Sequence, residues 1–295
     1  MQAAVIEKEA EGTMKRSEFT GEIRYTLMND YMFKVFFQKN AEALKSLLAA
    51  LLQIQFEKIC SAEIKNPIIP GETADNKTVI LDICLILNGN TKIDLEMQVE
   101  SQGDWPERSL TYLCREYGNM EKSASYAESM STVQIGILNF IPKGFPLRFF
   151  SSYYFYEQEC GHLYSDKLNI RMLNLSQINN PENEKRMPEL YRWARLFKAK
   201  TWEELAQMVT ENKISKDFVV TLRELSAEEK IRQQCEARED YYKVQKDAAR
   251  YNHDQGYGEG YGEGYEKRAT EDDAKLAEKD RKIAELMEKL KETKN

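Results

Sequence analysis

Residues 79–100 read VILDICLILNGNTKIDLEMQVE. Two apolar runs flank Asn88-Gly89-Asn90, and runs of this kind around such turn residues predict a β-hairpin over 79–87 and 91–99. The same stretch holds Asp82, Asp94, Glu96 and Glu100. A carboxylate buried among apolar side chains is costly unless something pairs with it. Any fold of this chain must therefore give those acids a face of their own.

Parity decides which face. A two-residue turn would oppose even positions to odd ones and set Asp82 beside an apolar residue. A three-residue loop at Asn88-Gly89-Asn90 opposes like parity. Asp82 then faces Glu96, Cys84 faces Asp94 and Ile80 faces Gln98, while the leucines share the other face with Met97 and Ile93. That register separates polar from apolar, as the pleat demands, and it expects Asn90 in the left-handed region that closes such loops. Opposed side chains have Cβ atoms about 4.5–5.5 Å apart. Two carboxylates that close are unfavourable without a proton or a cation between them. The fitting guest is a hard divalent cation such as Mg²⁺, which takes one or two carboxylates and fills its shell with water and phosphate oxygens. The rival reading is a solvated hairpin face. Asp94 and Glu100 are expected on that solvated face, with no chemistry.

Other reaction classes find little support. The chain has two histidines, His162 and His253, and no Gly-x-Ser-x-Gly, phosphate-binding loop or dinucleotide fingerprint. Its five cysteines are scattered and form no Cys-x-x-Cys pair, which argues against zinc and for reduced, cytoplasmic thiols. No apolar run is long enough to span a membrane, and the N-terminus lacks the apolar stretch of a signal peptide.

Around the hairpin the pattern alternates. Residues 25–55 show apolar positions at helical intervals, with Asn29 or Asp30 as a cap for a first helix and Asn40 for a second. Residues 107–128 and 186–210 are also helical by spacing. Residues 131–141, 148–158 and 168–178 are strand-like. Helices, a strand meander and more helices in this order predict an α/β domain with a central mixed sheet flanked by helices. We place a flexible lead at 1–20, the domain at 21–225 and a charged tail at 226–295. Lysines and arginines number 42 against 49 acids, which is unhelpful for coating nucleic acid by bulk attraction. Much of the deficit lies outside the central region, so a local basic surface there stays open. Within the tail, the repeat GYGEGYGEGY (256–265) carries five glycines, which cost a helix about 5 kcal/mol relative to alanine. It is expected to be flexible or held by a partner. Leu276, Ile283, Leu286 and Leu290 beyond it fit either a solvated helix or a short coiled coil that joins copies into a homo-oligomer.

The spacing from Asp82 to Glu96-Met97-Gln98 resembles the active-site hairpin of the PD-(D/E)xK nucleases. Asn29-Asp30-x-x-Phe33-Lys34-x-x-Phe37 is similar to the first-helix motif of the transposase-like branch of that family, the recombination-promoting nucleases. Arg108, Tyr112, Arg115 and Tyr117 resemble the helix that follows the hairpin there, and the glycine-rich repeat resembles the family's C-terminal repeats. The resemblance implies a restriction-endonuclease-like core and Mg²⁺-dependent cleavage of DNA phosphodiesters, with Mn²⁺ as a substitute. Asp82 and Glu96 would hold the metal with the Met97 carbonyl as a third ligand, and Gln98 would orient water from the position the family usually gives to lysine. Asp30 is an accessory acid or a helix cap. Arg108, Tyr112 and Arg115 meet DNA phosphates or are surface residues. If the Gln98 replacement disables the site, the chain is instead a DNA-binding or protein-interaction module acting through its C-terminal helix.

Overall fold

The computed structural model describes residues 20–68, 83–101, 103–120, 125–210 and 215–292. Helix α1 (Asp30–Lys39) is followed directly by α2 (Ala41–Leu52). Each has the cap its sequence offers. Asn29 Oδ1 accepts from Met32 N at 3.2 Å, and Asn40 Oδ1 accepts from Ala43 N at 2.9 Å, so Asn29 rather than Asp30 is the cap. Strands β1 (Ala62–Ile64), β2 (Ile83–Leu87) and β3 (Thr91–Gln98) form an antiparallel meander. Helix α3 (Trp105–Gly118) crosses to β4 (Ser131–Leu138), which lies parallel to β3. Strands β5 (Phe150–Tyr156) and β6 (Leu163–Asn174) pair antiparallel, and β6 runs parallel to β4. The result is a six-stranded mixed sheet in the order β1-β2-β3-β4-β6-β5, with helices around it, as the alternating pattern requires.

The hairpin has the expected like-parity register: Cys84 opposes Asp94 and Leu87 opposes Thr91, leaving Asn88–Asn90 as the loop. The positive φ values fall on Asn88 and Gly89 (51° and 72°), not on Asn90. Asn88 is held there by its own side chain, whose Oδ1 accepts from Cys60 N at 2.8 Å while Nδ2 donates to Lys58 O at 2.8 Å. Those bonds tie the hairpin tip to the segment leading into β1. Asp82 and Ile80, and hence the expected pairs with Glu96 and Gln98, lie outside the described residues.

The register sorts the sheet into two faces. Odd positions Ile83, Leu85, Ile93, Leu95, Met97, Val133, Ile135 and Ile137 are buried in the main core. That core continues into an aromatic layer from α1, from α5 (Pro188–Lys198) and from α7 (Lys216–Ala227). Phe33 and Phe37 meet edge to face at 4.9 Å, and Trp193 lies 5.9 Å from Phe197. Even positions Lys92, Asp94, Glu96 and Gln98, with Thr132, Gln134, Gly136 and Leu138 beside them in register, face the other way, toward α3.

Three elements differ from their patterns. Helix α3 stops at Gly118 instead of running to 128, because Lys92 Nζ draws off the carbonyls of Glu116 and Asn119 at 2.8 and 2.5 Å and a cation there favours the C-terminal end of a helix. The 186–210 segment is split into α5 and α6 (Trp202–Thr210), after a single turn α4 (Glu182–Arg186). The break exists because the backbone at Lys200 and Trp202 bonds the N-terminal segment at Ile23 and Gly21. The last strand starts earlier, at Leu163, and ends at Asn174, whose side chain caps a following turn.

Contacts divide the chain into one compact unit to Glu239 and a second from Asp240. Helix α8 (Glu229–Glu292) begins in the first, where Ile231 and Cys235 are buried, and continues through the second. Its backbone stays helical across the glycine repeat. No described helix is long and apolar enough to cross a membrane.

Gly136 is where α3 is seated. It lies opposite Glu96 in the parallel register, and a Cβ built on it would come within 2.5 Å of Trp105 Cη2. Trp105 is 3% exposed and its indole N–H donates to Met172 Sδ at 3.1 Å, so the ring cannot swing away without losing that site. Gly136→Val should destabilise the protein by about 1–3 kcal/mol, the usual range for overpacking, measured by denaturant unfolding. An unchanged midpoint would show that Trp105 has room to move.

Candidate functional site

The site is assembled from the even-numbered face of β3 and the helix above it. Alternation along β3 sends Glu96 and Gln98 to the same side as Asp94. Glu96 is 2% exposed. Its Oε1 accepts from Gln98 Nε2 and from Arg108 Nη1, the latter at 3.3 Å. Arg108 also reaches Asp104 Oδ2 at 3.7 Å, one turn back on α3. The other Glu96 oxygen, Oε2, is buried with no hydrogen-bond partner. Burial raises the Glu96 pKa, opposed by the hydrogen bond from Gln98 and the charge of Arg108.

Asp94 departs from the sequence expectation. It is 3% exposed rather than solvated. The even face is not an open hairpin surface, because α3 covers it. Burial pushes the Asp94 pKa up to about 7, reinforced by the negative charges of Glu96 and Glu116 and eased by the Cys84 thiol, 3.8 Å from Oδ1. Beside Asp94 in β4 stands Gln134, fully buried, with neither amide atom hydrogen-bonded. Sequence reading missed Gln134. Its only signal is one amide in the otherwise apolar run Val133 to Leu138.

The remaining residues singled out in the sequence are dispersed. Met97 turns its side chain into the main core. Arg115 lies over the Tyr112 ring at 4.9 Å, one to two turns beyond Arg108 on the same helix. Asp30 sits at the start of α1, where it accepts from Tyr31 N and forms a salt bridge with Arg238 Nη2 at 2.6 Å. The structure therefore brings together Glu96, Gln98 and Arg108, adds Asp94 and Gln134, and gives Asp30 a partner in α8. The basic residues near α4 and α5 are partly neutralised by Lys185–Glu182 and Arg192–Glu189 ion pairs.

A buried carboxylate with an orphan oxygen is suited to a hard divalent cation, which needs an anionic oxygen donor that no proton donor occupies. Among the described residues no three His, Cys, Asp or Glu side chains converge as a complete metal cage, so such a cation would draw further oxygens from other groups, water or substrate. A family model described as PD-(D/E)XK nuclease family transposase matches residues 27–252. No curated protein and no solved structure matches the chain.

Proposed function

The chain belongs to the PD-(D/E)XK nuclease family transposases, and on that premise we propose that it is a divalent-metal-dependent DNA endonuclease that promotes recombination. The observation that carries this reading is the buried Glu96 carboxylate with one oxygen bound by Gln98 and Arg108 and the other without a partner. Glu96 would hold Mg²⁺, with Asp82 and the Met97 carbonyl completing the protein's share of the ligands. Such a metal supplies charge to polarise the phosphodiester and to acidify the attacking water.

The protein groups have distinct tasks. Arg108 fixes the Glu96 carboxylate, and its charge opposes the burial that favours protonation there. Gln98 has a carboxamide and so orients its neighbours by hydrogen bonds, without the positive charge of a lysine. Trp105, seated over Gly136, holds α3 and therefore Arg108 in place. Arg115, stacked on Tyr112 and half exposed, would contact a DNA phosphate. Arg115→Ala should then lower the salt dependence of DNA binding by about one unit of log–log slope. An unchanged slope would leave Arg115 as a surface residue.

Calorimetry with Mg²⁺ and Mn²⁺ tests the metal reading: wild type should bind and Glu96→Ala should not. Heat from wild type that Glu96→Ala retains would remove Glu96 from the ligand set. The commitment of the Gln98 amide to Glu96 favours a second reading, a nuclease fold that binds DNA and cuts it poorly. DNA retention without metal binding by the wild type would favour it. The helix past Asp240 has exposed side chains at Val244, Tyr251 and Leu276, and most helical stability in proteins comes from packing an apolar face. We propose that it pairs with a second copy. Sedimentation of the full chain as a monomer at micromolar concentration would contradict that.

A further inference from the structure

We propose that Asp94, Glu96 and Gln134 form an inner position for a second divalent cation, one row deeper in the sheet than the metal assigned to Glu96 above. The inference rests on that assignment, since Glu96 would be shared between the two positions.

Three observations carry it. Asp94 and Glu96 are two residues apart on one strand, so they emerge on the same face, and both are at most 3% exposed. Gln134 stands directly beside Asp94 on the parallel neighbour and therefore on that face too. It is fully buried, and its amide oxygen and nitrogen both lack hydrogen bonds. Glu96 Oε2 is orphaned in the same layer. A folded protein rarely leaves so many buried polar atoms unsatisfied in one place without a ligand to satisfy them.

The nearby cations have other partners, although the Arg115 charge also acts on Asp94. Lys92, on the same face, donates to the Glu116 and Asn119 carbonyls at the end of α3. Arg115 is stacked on Tyr112, and Arg108 is bound to Glu96 and Asp104. Two carboxylates and a carboxamide oxygen make an all-oxygen donor set. That set suits Mg²⁺ or Mn²⁺, which retain water in the remaining positions. A carboxylate shared between two such cations is a recurrent arrangement in enzymes that transfer phosphoryl groups. The inner cation would also fasten β3 to β4 beneath α3, next to the Gly136 seat of Trp105.

The test is the number of Mn²⁺ ions bound per full-length chain, read by electron paramagnetic resonance with free Mn²⁺ as the titrant. Wild type should bind two, and Asp94→Asn one. Gln134→Leu, which keeps both carboxylates, should raise the dissociation constant of one ion by at least about 10-fold, the lower end of what second-shell losses cost. One ion bound by wild type, or two by Asp94→Asn, would overturn the inner position and leave the Glu96 metal standing. No ion bound by wild type would overturn both.

Discussion

Glu96→Gln is expected to reduce DNA cleavage by more than about 100-fold while leaving the folding free energy within about 1 kcal/mol of wild type. The first figure follows from the chemistry of the site. Outer-shell substitutions at metal sites already cost about 10–100-fold, and Glu96 is proposed as a direct ligand. The neutral amide loses the anionic charge and puts an N–H₂ where one carboxylate oxygen stood. The second figure follows from burial. Glu96 is 2% exposed and Arg108 is its charged partner. Deleting the charge loses the ion pair but also removes a desolvated carboxylate; losing one partner is costly mainly where the other charge is left buried and unpaired, and the Arg108 side chain is 22% exposed. Arg108 keeps Asp104 as a neighbour. Cleavage by gel assay and unfolding by denaturant separate the outcomes. Equal activity would remove Glu96 from the chemistry. A loss of stability of several kcal/mol would make it a structural ion pair.

Asp94 makes the larger difference to stability. Its carboxyl titrates near pH 7 in the folded protein against a reference value of 3.8. Between those values the native state holds a proton that the unfolded chain has released. Stability is therefore full at acid pH and falls as pH rises through about 7. Each pKa unit corresponds to about 1.4 kcal/mol, so in EDTA the protein should be more stable at pH 5 than at pH 8 by on the order of a few kcal/mol. Asp94→Asn should flatten that slope and raise stability at pH 8. The amide cannot ionise. Added Mn²⁺ should oppose the wild-type loss at pH 8, because a cation that binds only the folded state stabilises it by mass action. Denaturant midpoints across pH 5–8 measure all of this. A flat wild-type profile, or a profile unchanged by Asp94→Asn, would contradict the account of Asp94.

The hairpin register was legible because side-chain period two leaves no intermediate choice. Once Leu81, Leu85 and Leu87 are required on the apolar side, the loop must have odd length. The cap at Asn40 was legible for a similar reason, since a short amide before an apolar helix has one local partner to find, while at the first helix the sequence left Asn29 and Asp30 both open. The burial of Asp94 was not. Alternation assigns a residue to a face but does not reveal what covers that face, and the cover is α3, seated by a contact between Trp105 and Gly136 that are 31 residues apart in sequence. Gln134 was missed because one amide in an apolar strand looks like an exposed position until its two neighbouring strands are known. The end of α3 depended on Lys92, a residue of another element. The helical run through the glycine repeat also went against local propensity, which context can override.

The most direct test of the central claim is the cutting of supercoiled plasmid by the full-length protein in Mg²⁺, beside the same protein with Asp82→Ala and a wild-type control in EDTA. The account predicts nicked and linear DNA from wild type in Mg²⁺ alone, with the other two lanes intact. Equal cutting by wild type and Asp82→Ala would contradict it.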